Sequence, residues 1–297
     1  MENVLSRRMA LSLFAAVVTA WGLNWIMTKI LIAGASPLWT TAIRSAIATV
    51  MLLVMLAIGR QLVFPKRGDL PVILTVGVLH MSVFTALVAF GLQFVPVGRS
   101  IVLGYTTPLW VAPAAWMLLR EPLTPWRVGG IALGLAGLAV MFNPLAFDWS
   151  NRDALVGNGM LLLAAAFWAV NIVYVRGHNW VSTPFQLVFW QALLATCLLT
   201  ILALIHDGPP HIAWSGELIG VFLFAGIVGT ALAHWAMLTI NRSLPATVTS
   251  LGLLATPVIG VVASAVWLGE PVGFSLIVAM TTILAGIAVG TVQRQAP

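Results

Sequence analysis

Charge is what this chain is shortest of: Asp, Glu, Lys and Arg together make up 7% of its 297 residues. Soluble domains carry about a quarter charged residues. With 61% hydrophobic residues and a mean hydropathy of +1.04, no soluble fold could hide the apolar surface. Acids are the scarcest charges. The eight are Glu2, Asp69, Glu121, Asp148, Asp153, Asp207, Glu217 and Glu270. Cys197 is the only cysteine, which excludes an intramolecular disulfide and a Cys-cluster metal site. Three enzyme signatures are also missing: a Gly-rich phosphate loop with its Lys, a His-x-x-x-His pair and a Gly-x-Ser-x-Gly elbow. A non-enzyme without metal or cofactor is therefore expected. The net charge of +6 is scattered over short loops, which is no footprint for nucleic acid.

What fills the chain instead is runs of apolar residues. A helix needs roughly 20 of them to cross the hydrocarbon. Cutting at Gly, Pro and charge clusters predicts an all-α polytopic membrane protein with ten spans, near 9–32, 37–58, 70–94, 98–119, 125–142, 157–176, 184–206, 217–239, 247–268 and 273–292. The first run follows Arg7 and Arg8 and is longer than a signal-peptide core of about 7–15 residues, so it reads as a retained helix. Connections are short, the longest being 59–69, 143–156 and 207–216, with no room for a soluble catalytic domain.

Cytoplasmic loops are enriched in Lys and Arg. With the N-terminus inside, Arg7, Arg8, Arg60, Lys66, Arg67, Arg120, Arg127, Arg176, Arg242 and Arg294 fall inside, and Lys29, Arg99 and Arg152 outside. This predicts both termini in the cytoplasm. Arg44 lies about two turns into the second span, a depth from which its head could snorkel to the interface. Facing a carboxylate-bearing substrate is the alternative.

The chain also repeats itself. "TTPLWVAPAAWMLLREP" (106–122) and "ATPVIGVVASAVWLGEP" (255–271) share six of seventeen positions at an offset of 149. The shared residues include Thr107/Thr256, Pro108/Pro257 and the closing Glu-Pro pairs, Glu121-Pro122 and Glu270-Pro271. At the same offset Gly77 meets Gly226, Pro96 meets Pro245 and Gly137 meets Gly286. At an offset of 147, Trp21-x-x-Asn24 meets Trp168-x-x-Asn171 and Pro37 meets Pro184. Residues 9–143 and 156–292 are expected to be two five-helix copies. Five is odd, so the copies would cross in opposite directions, a plan secondary transporters use around a midplane site.

Ten predicted spans, two halves and a Glu-Pro pair after the fourth span of each half resemble the drug/metabolite transporter superfamily in its EamA-like branch, with most similarity to YddG-type amino-acid exporters of bacterial inner membranes. The resemblance covers nearly the whole chain. It implies export of amino acids or related small metabolites by a multi-pass protein of the inner membrane, with the bilayer and a small-molecule substrate as partners and a monomer as the unit. Drugs, nucleosides or sugar derivatives are the alternative cargo, and a non-transporting scaffold or sensor the alternative class.

Candidate substrate contacts are polar or aromatic residues deep in spans. Trp21, Asn24 and Thr28 share a face of span 1, and Trp168 and Asn171 repeat it on span 6. His80 and Phe84 lie one turn apart on span 3, His234 and Met237 in the matching region of span 8, and Tyr105 just before a proline break. No acid sits deep in a predicted span, which argues against lipophilic cations as cargo and against carboxylate-based proton coupling. Facilitated diffusion, or weak coupling through His80 or His234, fits better. Thr107-Pro108 and Thr256-Pro257 are expected hinges that leave backbone groups free near the cavity, whereas Pro113 faces Val262 and is unshared. Glu121 and Glu270 are expected to be structural, each facing the N-terminus of the following helix.

Overall fold

The computed structural model describes residues 5–121, 123–142, 150–244, 248–249 and 252–291. Glu2, Pro122, Asp148, Pro245 and Arg294 lie outside the described residues, as does the side chain of Arg242. Among those described the regular structure is all helical. Eight helices are long and apolar enough to cross a membrane: α1 (Arg7–Gly34), α2 (Pro37–Ile58), α3 (Arg67–Phe94), α4 (Val97–Leu119), α5 (Pro125–Phe142), α6 (Arg152–Gly177), α7 (Pro184–His206) and α8 (Gly216–Ile240). Two apolar helices are shorter, α9 (Ala255–Leu268) and α10 (Phe274–Gly290). The first eight lie close to the spans expected from hydropathy. The ninth is shorter than 247–268 because the helix is interrupted at Leu253 and Leu254.

Local chemistry sets the helix starts. Ser36 and Thr183 each precede a proline at the first helical position and accept a hydrogen bond from the third residue's N–H, at 3.3 Å for Trp39 and 3.3 Å for Gln186. Ser215 does the same for Leu218 at the start of α8, and Asn151 for Ala154 at the start of α6. Within the spans, many hydroxyls bond back to carbonyls of the preceding turn, as Thr28 does to Asn24 O at 2.8 Å, and so present no unmet donor to lipid.

Two helix pairs hold the bundle through small or polar residues rather than bulk, the usual solution where lipid is as apolar as leucine. α5 and α10 meet backbone to backbone at Gly130 and Gly286. A Cβ on Gly130 would stand 2.5 Å from Gly286 O, and one on Gly286 2.6 Å from Gly130 O, so neither tolerates a side chain. α2 and α7 are joined by hydroxyls, with Thr49 and Thr196 at 2.9 Å and Thr196 donating to Ser45 at 3.0 Å. A long-range tie secures the start of α3. The fully buried Asp69 accepts from Ser182 N and Oγ, at 3.0 and 2.8 Å, and from Lys66 N at 3.1 Å.

α3 and α8 each carry a nine-residue π-helical stretch, Val76–Phe84 and Phe224–Leu232. In both, a hydroxyl reaches the carbonyl five residues back: Ser82 to Gly77 at 2.7 Å and Thr230 to Ala225 at 2.8 Å. Such wider turns are rare and concentrate at functional positions. They shift the residues within and after them relative to an α-helical register, which helps set where His80, Phe84 and His234 point.

Candidate functional site

Six sequence-predicted residues from five helices converge on one ring cluster. His80 stacks flat on Trp168, with ring centroids 5.5 Å apart and 7° between planes. Phe84 sits 5.1 Å from Trp168 and 5.5 Å from His80. Tyr105 meets Trp168 edge to face at 6.1 Å and 87°. His234 lies 6.1 Å from His80, and Trp21 closes the group 6.1 Å from His234. Tyr105 is buried, while Trp21, His80, Phe84, Trp168 and His234 keep intermediate exposure. Side chains held between rings from other helices face the bundle interior. Met237 packs nearby against the cluster of Phe14 and Val18 rather than in the ring contacts.

The polar groups around these rings are unevenly satisfied. His234 Nδ1–H donates to Thr230 O at 2.7 Å, which leaves Nε2 as the ring's acceptor. Asn24 and Asn171 each have a buried Oδ1 without a hydrogen-bond partner. Asn24 reaches its place because α8 offers Gly229, where a Cβ would lie 2.5 Å from Asn24 Oδ1. The Tyr105 hydroxyl approaches Thr256 Oγ1, which has no partner meeting hydrogen-bond geometry.

Arg44 corrects the snorkelling expectation. It is only 9% exposed, and Nη1 donates to Thr28 Oγ1 at 3.2 Å, within electrostatic reach of His80 and His234. Its depth was readable from the sequence; the helix face it occupies was not.

The proline breaks are real but differ from expectation. α4 is interrupted at Tyr105 and Thr106, just before Thr107-Pro108. Pro108 has no N–H for Gly104 O, and Thr107 Oγ1 supplies the donor instead at 2.8 Å. Thr106 donates to Leu103 O from both N and Oγ1, at 3.1 and 2.6 Å. The expected free carbonyls at this break are therefore occupied by threonines. Before Thr256-Pro257, the interruption at Leu253 and Leu254 is bridged by Thr256 N to Leu253 O at 3.0 Å. Pro113 lies within the lower part of α4 without ending it.

The two Glu-Pro glutamates also depart from expectation. Glu270 caps not the following helix but α4, accepting from Val97 N at 2.7 Å and Gly98 N at 2.9 Å. Both carboxylate oxygens thus meet the positive end of a helix far away in sequence. Among the described residues Glu121 caps no helix start; it pairs with Arg127 at 3.1 Å and Arg176 at 3.2 Å. Cys197 is exposed on α7, away from the ring cluster. No group of three or more potential metal ligands occurs among the described residues.

Comparison with known proteins places this architecture. Residues 8–143 and again 155–291 match the EamA-like transporter family. An uncharacterized transporter of Bacillus subtilis, YvbV, is 27% identical over 296 residues, covering 100% of this chain and 95% of its own. A probable amino-acid metabolite efflux pump of Salmonella typhimurium is 26% identical over 288 residues, 91% of each chain. A solved crystal structure matches with a TM-score of 0.65 at 22% identity, over 96% of this chain and 97% of that one, which is a likeness of fold. The chain belongs to the EamA-like transporter family and is a multi-pass membrane protein.

Proposed function

We propose that this EamA-family chain exports amino acids or similar small zwitterionic metabolites across the bacterial inner membrane. Transport proceeds by alternating access around a midplane cavity, with both termini in the cytoplasm. The observation that carries this reading is the ring cluster. Trp21, Phe84, Tyr105 and Trp168 form an apolar wall suited to a substrate side chain and to cation–π contact with an ammonium. Asn24, His80, Asn171 and His234 supply the polar contacts, two of them with unmet carbonyl oxygens. The likeness to a probable amino-acid metabolite efflux pump favours the same cargo class.

Ten spans in two inverted halves, 9–143 and 156–292, complete the proposal. Several features support this pseudo-symmetry: the matched π-helical stretches of α3 and α8, the Thr49–Thr196 contact, and the α5–α10 crossing, where the contact of Gly130 with Gly286 is mirrored by that of Gly137 with Ala279. The halves rock about the breaks at Thr107-Pro108 and Thr256-Pro257. Counterflow in proteoliposomes against amino acids, nucleosides and organic cations tests the reading. Saturable flux of amino acids is expected, reduced in Trp168→Ala and His80→Ala protein that remains folded. Flux confined to organic cations, or none, refutes it.

A further inference from the structure

We infer that Arg44 is the carboxylate anchor of this site, which commits it to cargo bearing a free carboxylate and excludes the matching amines and esters. The inference rests on the export reading for its cargo, and on independent geometry for the residue. Arg44 is a guanidinium more than nine-tenths buried within α2, and among the described residues its one hydrogen bond goes to the neutral Thr28 hydroxyl. A charged side chain inside a span costs several kcal/mol unless paired, so one that persists marks a functional position.

No described acid pairs with it. Glu121 is held by Arg127 and Arg176, Asp207 by Ser36 and His206, Glu270 by the start of α4, and Asp69 by Ser182 and Lys66. Asp153 and Glu217 lie in the first turns of α6 and α8. The titratable groups that face Arg44 are His80 and His234, neither of them an anion. The site is therefore short of negative charge.

The guanidinium itself sets the shape of the partner it can take. A guanidinium presents five N–H donors in a planar fork that matches a carboxylate in bidentate fashion, and Thr28 occupies a single nitrogen of it. Thr28 in turn donates to Asn24 O at 2.8 Å, which fixes Arg44 to the helix face that carries Asn24. The unmet Oδ1 atoms of Asn24 and Asn171 are acceptors, suited to an ammonium. A buried cation, unmet acceptors and a wall of rings complement the three parts of an amino acid with an apolar side chain.

The test uses the full-length protein in liposomes with L-phenylalanine as labelled probe. Unlabelled L-phenylalanine is expected to compete, while its methyl ester and phenethylamine do not. Arg44→Gln lowers phenylalanine counterflow by roughly tenfold to a hundredfold, the range for losing hydrogen bonds to a charged group, and Arg44→Lys recovers part of it. Competition by ester and amine equal to that of phenylalanine, in wild-type protein whose fold is not in question, overturns the inference and leaves the export reading intact. If no amino acid moves, the export reading falls and Arg44 is judged on binding alone. 3-Phenylpropionate, a carboxylate without an ammonium, should then raise the melting temperature of the wild type and not of Arg44→Gln; no such shift overturns the inference.

Discussion

Glu121 and Glu270 occupy the same position in twin sequence motifs, yet their removal should have unequal consequences. Glu270 accepts two backbone N–H donors at 2.7 and 2.9 Å at the first turn of α4. Hydrogen bonds to a charged group contribute about 1.5–3 kcal/mol, and the helix dipole adds about 0.3–1 kcal/mol. Glu270 is only half-buried and borders an open cleft of about 260 Å³, so the low end applies. Glu270→Ala should cost about 2–3 kcal/mol. Among the described residues Glu121 makes side-chain pairs only, with Arg127 and Arg176 at 24% and 50% exposure. Such pairs contribute about 0–1 kcal/mol each and are screened by salt, so Glu121→Ala should cost about 1 kcal/mol or less. The difference of about 1–3 kcal/mol corresponds to roughly 2–12 °C in melting temperature, taking about 2–4 °C per kcal/mol. Thermal unfolding of detergent-purified protein, followed by fluorescence of its 13 tryptophans, reads it directly. Glu270→Gln should fall between, because it keeps one acceptor and loses the charge. High salt should erase the Glu121 effect and spare most of the Glu270 effect. Equal shifts for the two alanine variants would refute the assignment of Glu270 as a helix cap.

Thr107→Val should cost about 1–2 kcal/mol by leaving Gly104 O without a donor. In a Pro108→Ala background, which restores an N–H to that carbonyl, the cost should fall by at least half; a double-mutant cycle on thermostability measures the coupling. Gly229→Ala should overpack the Asn24 contact and destabilise by about 1–3 kcal/mol, and adding Asn24→Ala should restore melting temperature without restoring counterflow. Burial pushes the Asp207 carboxyl up, but hydrogen bonds from Ser36 and His206 outweigh it and hold its pKa below the ordinary value. A depressed folded-state pKa stabilises fully above the unfolded value, about 3.9, and the contribution fades as pH falls through the lower folded one. Melting temperature between pH 7 and pH 3 should therefore drop further in wild type than in Asp207→Asn.

The parts of this molecule that were legible in sequence share a physical origin: they are set within one helix. Hydropathy located the long spans, since burial in lipid demands about 20 apolar residues in a row. Spacing of three, four and seven residues put Trp21, Asn24 and Thr28 on one face, where the structure finds Asn24 and Thr28 bonded to each other. The misread parts depend on a partner in another helix. The Glu-Pro motif points locally to the next helix, but the start of α4 lies 173 residues away from Glu270 and supplies better donors. Arg44 sits at a depth from which snorkelling is possible, yet α1 places Thr28 within reach and turns the guanidinium inward. The π-helical stretches have no composition of their own, and their one sequence trace is a hydroxyl at Ser82 and at Thr230 that can reach the fifth carbonyl back. That trace has a consequence for the site. Replacing the hydroxyl donors with Ala at both positions would remove the bonds that favour the wide turn, and a return to α-helical register would rotate the residues that follow each stretch about the helix axis, His234 among them, and shift His80 within its stretch by less. The arrangement of the ring cluster therefore rests in part on two hydroxyls that touch none of its rings.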